Sequence, residues 1–309
     1  MGQVLVAGAG VVGLTAAIRL REAGVEADVV ARQPPLATTS AVAAALWYPY
    51  RAFPRERVMA WSARGFAVLS ALADEPGSGV RLRWGTERVP AGTEEPWWRG
   101  AVPTFARTAD GFRFAAPVAD MSVHLPWLVG RLEALGGSVT TQTLARLEEA
   151  LARAPVVVNC AGLGARELAG DDTLLAVRGQ ILHVEQTGVE EWLLDQSDPE
   201  RLVYVVPREH DVVLGGTAQE GDEDLAADGD LAEVIRARCV AAVPALRDAR
   251  VLDDAVGLRP ARPAVRLEAE ARDGGTVVHC YGHGGAGVTL AWGCAEEVVA
   301  LVTPLLAAT

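Results

Sequence analysis

The chain opens Gln3-Val-Leu-Val-Ala7-Gly8-Ala-Gly10-Val-Val-Gly13-Leu14-Thr-Ala-Ala-Ile-Arg-Leu-Arg-Glu-Ala23-Gly24, and this stretch decides the fold. Gln3 to Ala7 is a short apolar run of the kind that forms a buried strand. Leu14 to Ala23 carries helical spacing that stops at Gly24, a natural residue just past a helix end. Val25 to Ala31 supplies a second strand. Strand, G-x-G-x-x-G, helix and strand within about thirty residues is the context a dinucleotide-binding turn requires. Gly8 then permits the sharp bend, Gly10 the approach of a pyrophosphate, and Gly13 the packing of helix on strand. Ala9, Val11 and Val12 belong to the same cofactor-binding turn, with the positive end of the helix facing the phosphates. The pattern does not separate NAD from FAD. Its usual acidic partner is missing, because the second strand ends Val30-Ala31-Arg32, which leaves the adenosine ribose to Arg32 or to a backbone group.

Outside that turn, composition sets limits. With 309 residues, half of them apolar, the chain can bury one large core or two modest ones. A net charge of -12 argues against nucleic acid or an anionic membrane as partner. No apolar run is read as a bilayer span, and the opening residues lack the basic region of a signal peptide. Cys160, Cys239, Cys280 and Cys294 form no C-x-x-C pair and show no metal-ligand spacing with His. Reduced, buried thiols are expected, with no metal, in a soluble cytoplasmic α/β protein.

Four further stretches carry chemistry. Thr38-Thr-Ser40-Ala-Val-Ala-Ala44-Ala45-Leu46-Trp-Tyr48-Pro-Tyr50 places hydroxyls before small residues: a phosphate- or ribose-holding loop, or an ordinary helix cap on a core helix. Leu202-Val-Tyr204-Val-Val-Pro207 alternates as a strand, Arg208 to Asp211 turns, and Val212-Val-Leu-Gly-Gly returns as its partner. Gly257-Leu-Arg259-Pro-Ala-Arg262-Pro-Ala-Val-Arg266 presents three guanidinium groups from a proline-stiffened path. Such a group matches a carboxylate through two parallel hydrogen bonds. Finally, His279-Cys-Tyr-Gly-His283-Gly284-Gly285-Ala286-Gly287-Val288-Thr289 packs glycines ahead of an apolar helix, more than a cap needs. A helix start carries unpaired N–H groups and partial positive charge. His279 and His283 read as packed or hydrogen-bonding residues, not as acid or base.

The ensemble resembles the D-amino-acid oxidase family. The resemblance rests on GAGVVGLTAAIRL, TTSAVAAALWYPY, VVVNCAGLGA around Cys160, VRGQI at Val177, YVVP at Tyr204, VVLGGT at Val212, GLRPARPAVRLE from Gly257 and YGHGGAGVTLAWGCA from Tyr281, in that order. It implies non-covalent FAD and oxidation of D-amino acids, neutral or apolar ones favoured, to 2-oxo acids, ammonia and hydrogen peroxide, by hydride transfer from the substrate Cα to flavin N5. By the same match Arg259 clamps the substrate carboxylate with help from Tyr204, and the Gly285 carbonyl takes a hydrogen bond from the amine. Tyr48, where relatives carry glutamine, and Tyr50 shape the side-chain pocket. FAD contacts fall to the first glycine turn, Arg32, Thr38, Thr39, Ser40, Ala44, Ala45, Leu46, Leu144, Gly162, Arg259 and Gly284 to Thr289, with Thr289 donating a hydrogen bond to the ring. Arg266 takes a structural or flavin-side role and Arg262 a surface pairing. The Asp198-Pro-Glu-Arg segment is shorter than in eukaryotic relatives and has no second tyrosine, which speaks against an aromatic lid.

The expected architecture is a Rossmann-like FAD-binding domain (1–50, 127–180 and 253–309) interleaved with a smaller α+β substrate domain (51–126 and 181–252) with a mostly antiparallel sheet. Glu220 to Asp224 reads as a solvated loop before a helix starting near Leu231, and Trp97-Trp98 as exposed-edge packing. A homodimer is expected. Two rivals share fold and cofactor: a glycine- or sarcosine-type amine oxidase, and a D-aspartate oxidase, which needs a second cation such as Arg208 or His210.

Overall fold

The computed structural model describes residues 3–198 and 201–307. Pro199 and Glu200, part of the short segment read against a lid, therefore lie outside the described residues.

Strand β1 (Val4–Ala7) is fully buried and leads through the glycine turn into α1 (Val11–Glu22), whose end is closed by Ala23 and Gly24. The β2 strand (Ala27–Ala31) pairs with β1 in parallel, Val4 against Ala27. After it, α2 (Arg55–Leu72) leads to β3 (Val80–Arg88), β4 (Phe105–Arg107) and β5 (Gly111–Ala119). Next come α3 (Met121–Ala134), β6 (Val139–Thr141), α4 (Leu147–Leu151), β7 (Val156–Asn159) and α5 (Ala165–Ala169). Strands β8 (Leu175–Glu185), β9 (Trp192–Asp195), β10 (Val203–Pro207), β11 (Asp211–Gly215) and β12 (Gln219–Glu220) precede α6 (Gly229–Ala242). The chain closes with β13 (Val251–Arg272), β14 (Gly275–His283) and α7 (Gly287–Ala307).

All these strands join one mixed sheet, in the order β4-β5-β3-β9-β10-β11-β8-β13-β14-β7-β1-β2-β6, with β12 on β8. From β14 to β6 every pairing is parallel, the nucleotide half; from β4 to β14 the pairings are antiparallel, except for β3 beside β9. The two-part α/β design is therefore present, but without a break. The expected boundaries at 180 and 253 fall inside β8 and β13, which pair continuously from Asp253↔His183 to Ala261↔Leu175, and the boundary at 127 falls inside α3.

Helix α7 corrects the expectation that no run could span a bilayer: Gly287–Ala307 is long and apolar enough by length and composition. Val288 to Ala295 are nonetheless buried in the protein. The helix packs between α1 and α2, with Arg19 over the Trp292 ring and Arg57 and Trp61 Nε1 both bonded to Glu297. Trp98 is also not an edge residue. It is 2% exposed and meets Trp47, Tyr48, Phe105 and Phe114 in an aromatic core, while Trp97 is half-buried beside Arg55. The acidic loop is exposed as expected, and α6 begins two residues early, where Asp228 accepts from the N–H groups of Asp230 and Leu231.

Candidate active site

A single cavity of about 660 Å³ runs from the carboxyl ends of β1 and β2 to the face of the antiparallel half. Its outer end is built as the glycine turn demands. Gly8 has φ +119, and a Cβ there would meet the Cys160 main chain at 2.8 Å; a Cβ on Gly13 would strike the Gly8 carbonyl. Side chains at these positions would close the turn or push α1 off the sheet. Ser40 sits across from them, and its Oγ accepts from the Val11 N–H at 3.0 Å, so the hydroxyl loop docks on the start of α1. Of the two readings of that loop, it lines the cavity: Thr38, Thr39, Ser40, Ala44, Ala45 and Leu46 all face it. Ala45 adopts φ 55, an uncommon backbone for a residue with a Cβ, and is pinned by Ala119 N–H donating to its carbonyl. Arg32, Leu144 and Gly162 line the same end.

At the inner end, Gly284 has φ +56 and no room for a Cβ against Arg51, and the chain turns there into α7. Gly284, Gly285, Gly287, Val288 and Thr289 line the cavity; Ala286 does not, being fully buried with its N–H bonded to His283 and its carbonyl to Leu290. Thr289 needs a correction. Its hydroxyl donates to the Tyr48 carbonyl and accepts from the Tyr48 N–H, both at 3.0 Å. A hydroxyl has one proton, so what this helix start offers a ligand is main-chain N–H.

Opposite stands the group the arginine segment supplies. Arg262 bonds Asp171, and Arg266 bonds Glu268, Glu270 and the Tyr281 hydroxyl, so both are structural. Arg259 differs. It is half-buried, lines the cavity, donates to the Thr217 carbonyl at 2.9 Å, and has no carboxylate partner among the described residues. Tyr204 lies beside it, its hydroxyl held above the ordinary tyrosine range by burial, against the pull of the Arg259 charge. The expected hairpin is present, with Tyr204 paired to Gly215. Tyr50 faces Gly285, where a Cβ would come within 2.5 Å of its ring. No hydrogen bond among the described residues uses the Gly285 carbonyl. Arg259, Tyr204, Gly285 and Tyr50 thus converge, as the sequence proposed.

Tyr48 forms a wall, but its hydroxyl points away and donates to Glu87 Oε1 at 2.6 Å; Gln196 Nε2 bonds both at 2.9 and 3.0 Å. Burial lifts the Glu87 carboxyl to about 7, opposed by that hydrogen bond. The remaining pocket wall is apolar: Leu46, Ile181, Leu194, Leu202 and Val206. Arg208 and His210, the candidate second cations, lie elsewhere. Arg208 bonds Asp211 and, with His210, lines a separate small cavity.

Sequence reading missed the residues that make room. A Cβ on Gly179 would lie 2.5 Å from Arg259 Cζ, and one on Gly216 2.6 Å from the Tyr204 ring. Both glycines stood in the quoted blocks VRGQI and VVLGGT, a signal available but unassigned. The histidines behave as expected: His279 is fully buried between Asn159 and Glu270, and burial lowers its pKa. The cysteines are free and buried, as expected; the metal-ligand spacing read as absent is present, because Cys280 and His283, three positions apart, bring their ligand atoms within 4.8 Å of each other and of Cys294.

A parallel nucleotide sheet opening into a cavity capped by an antiparallel sheet defines the class of dinucleotide-dependent oxidoreductases. The residues fit FAD: bare glycines for the pyrophosphate, two helix starts, and an elongated cavity reaching Arg259. The chain belongs to the FAD dependent oxidoreductase family, whose model matches residues 3–301. It is 52% identical to the D-amino-acid oxidase of Rubrobacter xylanophilus over 97% of this chain and 96% of that one. To the D-amino-acid oxidase of Streptomyces coelicolor it is 44% identical, covering 98% and 97%. Among solved structures, glycine oxidase from Bacillus cereus shares the fold with a TM-score of 0.76 at 18% identity, covering 98% of each chain.

Proposed function

We propose that this chain oxidises D-amino acids with neutral or apolar side chains to 2-oxo acids, ammonia and hydrogen peroxide. The observation that carries the reading is Arg259, a half-buried cation at the inner end of the cavity with no carboxylate partner among the described residues. A permanently charged fork in that position seeks a planar anion. The substrate carboxylate supplies it, with Tyr204 beside the pair. The substrate amine donates to the Gly285 carbonyl, and the side chain enters the wall of Leu46, Ile181, Leu194 and Leu202. Three fixed points set one handedness at Cα. The chemistry FAD supplies when bound is acceptance of hydride from that carbon and return of the electrons to oxygen. The protein's own part is alignment and exclusion of water.

The apolar wall favours this reading over a D-aspartate oxidase, since the cavity's other arginine, Arg32, stands at the opposite end. Non-covalent FAD belongs to the same proposal: the cradle offers N–H groups and hydroxyls, and Cys280 and His283 face each other. So do a homodimer and a cytoplasmic location; Leu82 and Trp84, exposed two residues apart on β3, offer apolar surface to a second copy, and four free cysteines suit a reducing compartment. The deciding experiment is peroxide release by the yellow protein across D- and L-amino acids, glycine, sarcosine and D-aspartate. Turnover of apolar D-forms over their mirror images supports the proposal. Preference for glycine, sarcosine or D-aspartate, or no peroxide at all, overturns it.

A further inference from the structure

Beneath the glycine-rich turn, where Cys160, Cys280 and His283 border the cofactor cavity, lies a cluster to which the proposed oxidation gives no role. Cys280 lies within the buried part of β14, His283 closes that strand, and Cys294 faces them from the second turn of α7. Strand β14 runs parallel to β7 with His279 against Asn159, so Cys160, the next residue along, lies beside Cys280. Cys280 and Cys294 are 1% and 0% exposed, and His283 3%. Two soft sulfur donors and one imidazole, drawn from β14 and α7, face a common centre, and a third thiol, Cys160, lies at its edge.

We propose that Cys280, His283 and Cys294, completed by Cys160, bind a soft divalent cation of the zinc class. The ligand atoms of the first three lie within 4.8 Å of one another, with Cys280 Sγ 3.9 Å from His283 Nε2. Bonds of about 2.3 Å to sulfur and about 2.0 Å to nitrogen in a tetrahedron put ligand atoms roughly 3.5 to 3.8 Å apart. Inward movements of about 1 Å or less, within reach of Cys and His rotamers, therefore bring those three to bonding geometry, and Cys160, beside Cys280, is the fourth donor the proposal adds. The donor set, three cysteines and one histidine, is a closed structural type with no open position, so the ion would not take part in oxidation. Its effect would be mechanical: it ties β7, β14 and the start of α7 into one unit and fixes the turn that carries the Gly285 carbonyl. Stability gained this way appears only when the metal is present.

The test has two arms on the holoenzyme. Protein from zinc-supplemented culture is desalted and its metal content measured; separately, reduced protein is titrated with Cd²⁺ and the ultraviolet thiolate-to-cadmium band is followed. In either arm the native protein should retain one equivalent per chain, Cys239→Ala should do the same, and Cys294→Ala and Cys280→Ser should bind at least about 100-fold more weakly. The flavin spectrum of Cys294→Ala reports that it is folded. Retention below about one-tenth of an equivalent in both arms would mean packed thiols only and overturn the proposal. So would undiminished binding in Cys294→Ala or Cys280→Ser, whichever is folded.

Discussion

Gly179→Ala tests the site without touching a functional group. Gly179 lies in β8 opposite Gly257, in an extended backbone that alanine adopts freely. The new Cβ would lie 2.5 Å from Arg259 Cζ and closer still to its two terminal nitrogens, where ordinary contact begins near 3.4 Å. The guanidinium is the end of a flexible side chain, so it moves and the sheet does not. The displacement needed is about 1 Å, and misplacement on that scale costs on the order of 100-fold in rate. We expect kcat/KM for a D-amino acid to fall about 100-fold, near 2.7 kcal/mol, mostly through KM. The melting temperature should stay within about 2 °C, because alanine restricts the unfolded strand at least as much as glycine. Steady-state peroxide release, normalised to bound flavin, is the assay. In the Arg259→Ala background the second change should have almost no further effect, since the group it displaces is gone. Unchanged kcat/KM in the single variant, or an equal loss in both backgrounds, would refute the reasoning.

Removing the guanidinium itself should cost about 2–5 kcal/mol, a loss of roughly 30- to 5,000-fold in kcat/KM for Arg259→Ala. Arg259→Lys restores charge but not the planar fork and should recover only part of it, as steady-state kinetics with matched flavin content will read. Glu87 makes a pH prediction. Its carboxyl rises from 4.5 to about 7 on folding, so the neutral form is favoured and its stabilisation is present below pH 4.5 and lost as pH rises through 7. Relative to Glu87→Gln, the native protein should lose up to about 3 kcal/mol of stability between pH 4.5 and 8, visible in parallel thermal melts; coincident pH profiles would contradict it. Ser40→Ala removes the acceptor on the Val11 N–H and should lower stability of the apoprotein by about 1 kcal/mol, roughly 2 °C by calorimetry.

Local rules carried the nucleotide half. Strand, turn and helix there are set by periodicity within twenty residues, and Gly13 declares a steric need that arises inside the same unit, against the Gly8 carbonyl. The Tyr204 hairpin was legible for the same reason: both strands and their turn are contiguous. What stayed hidden depends on partners far along the chain. Trp98 is core because Trp47, Phe105 and Phe114 close on it, and nothing next to it in sequence says so. Tyr48, Glu87 and Gln196 come from three segments, and the reason for Gly179 is a side chain on the neighbouring strand. The sheet's continuity was not legible, because β8 and β13 pair across residues 180 and 253 and that pairing joins segments some seventy residues apart. Helix α7 shows the limit of hydropathy: an all-round apolar helix suits a bilayer or a protein core, and only the packing of α1 and α2 distinguishes them.

The strongest functional signal is an arginine that lines the cavity without a carboxylate partner among the described residues. The chain holds 40 acidic residues against 28 lysines and arginines, so a folded cation has carboxylates in excess around it. Arg262 finds Asp171, Arg266 finds Glu268 and Glu270, Arg166 finds Glu223, and Arg51 finds Glu220. Arg259, three residues from Arg262 and less than half exposed, has no carboxylate among the described residues, only the Thr217 carbonyl and the neighbouring Tyr204. Desolvating a guanidinium without an anion costs several kcal/mol, more than a surface pair returns. A fold that keeps Arg259 in that condition, and spends Gly179 on making room for it, is poised to recover the cost when a carboxylate arrives. In the proposed reading that energy is released on binding the acid group, whatever the side chain, so it would anchor many D-amino acids alike and leave selection among them to the apolar wall.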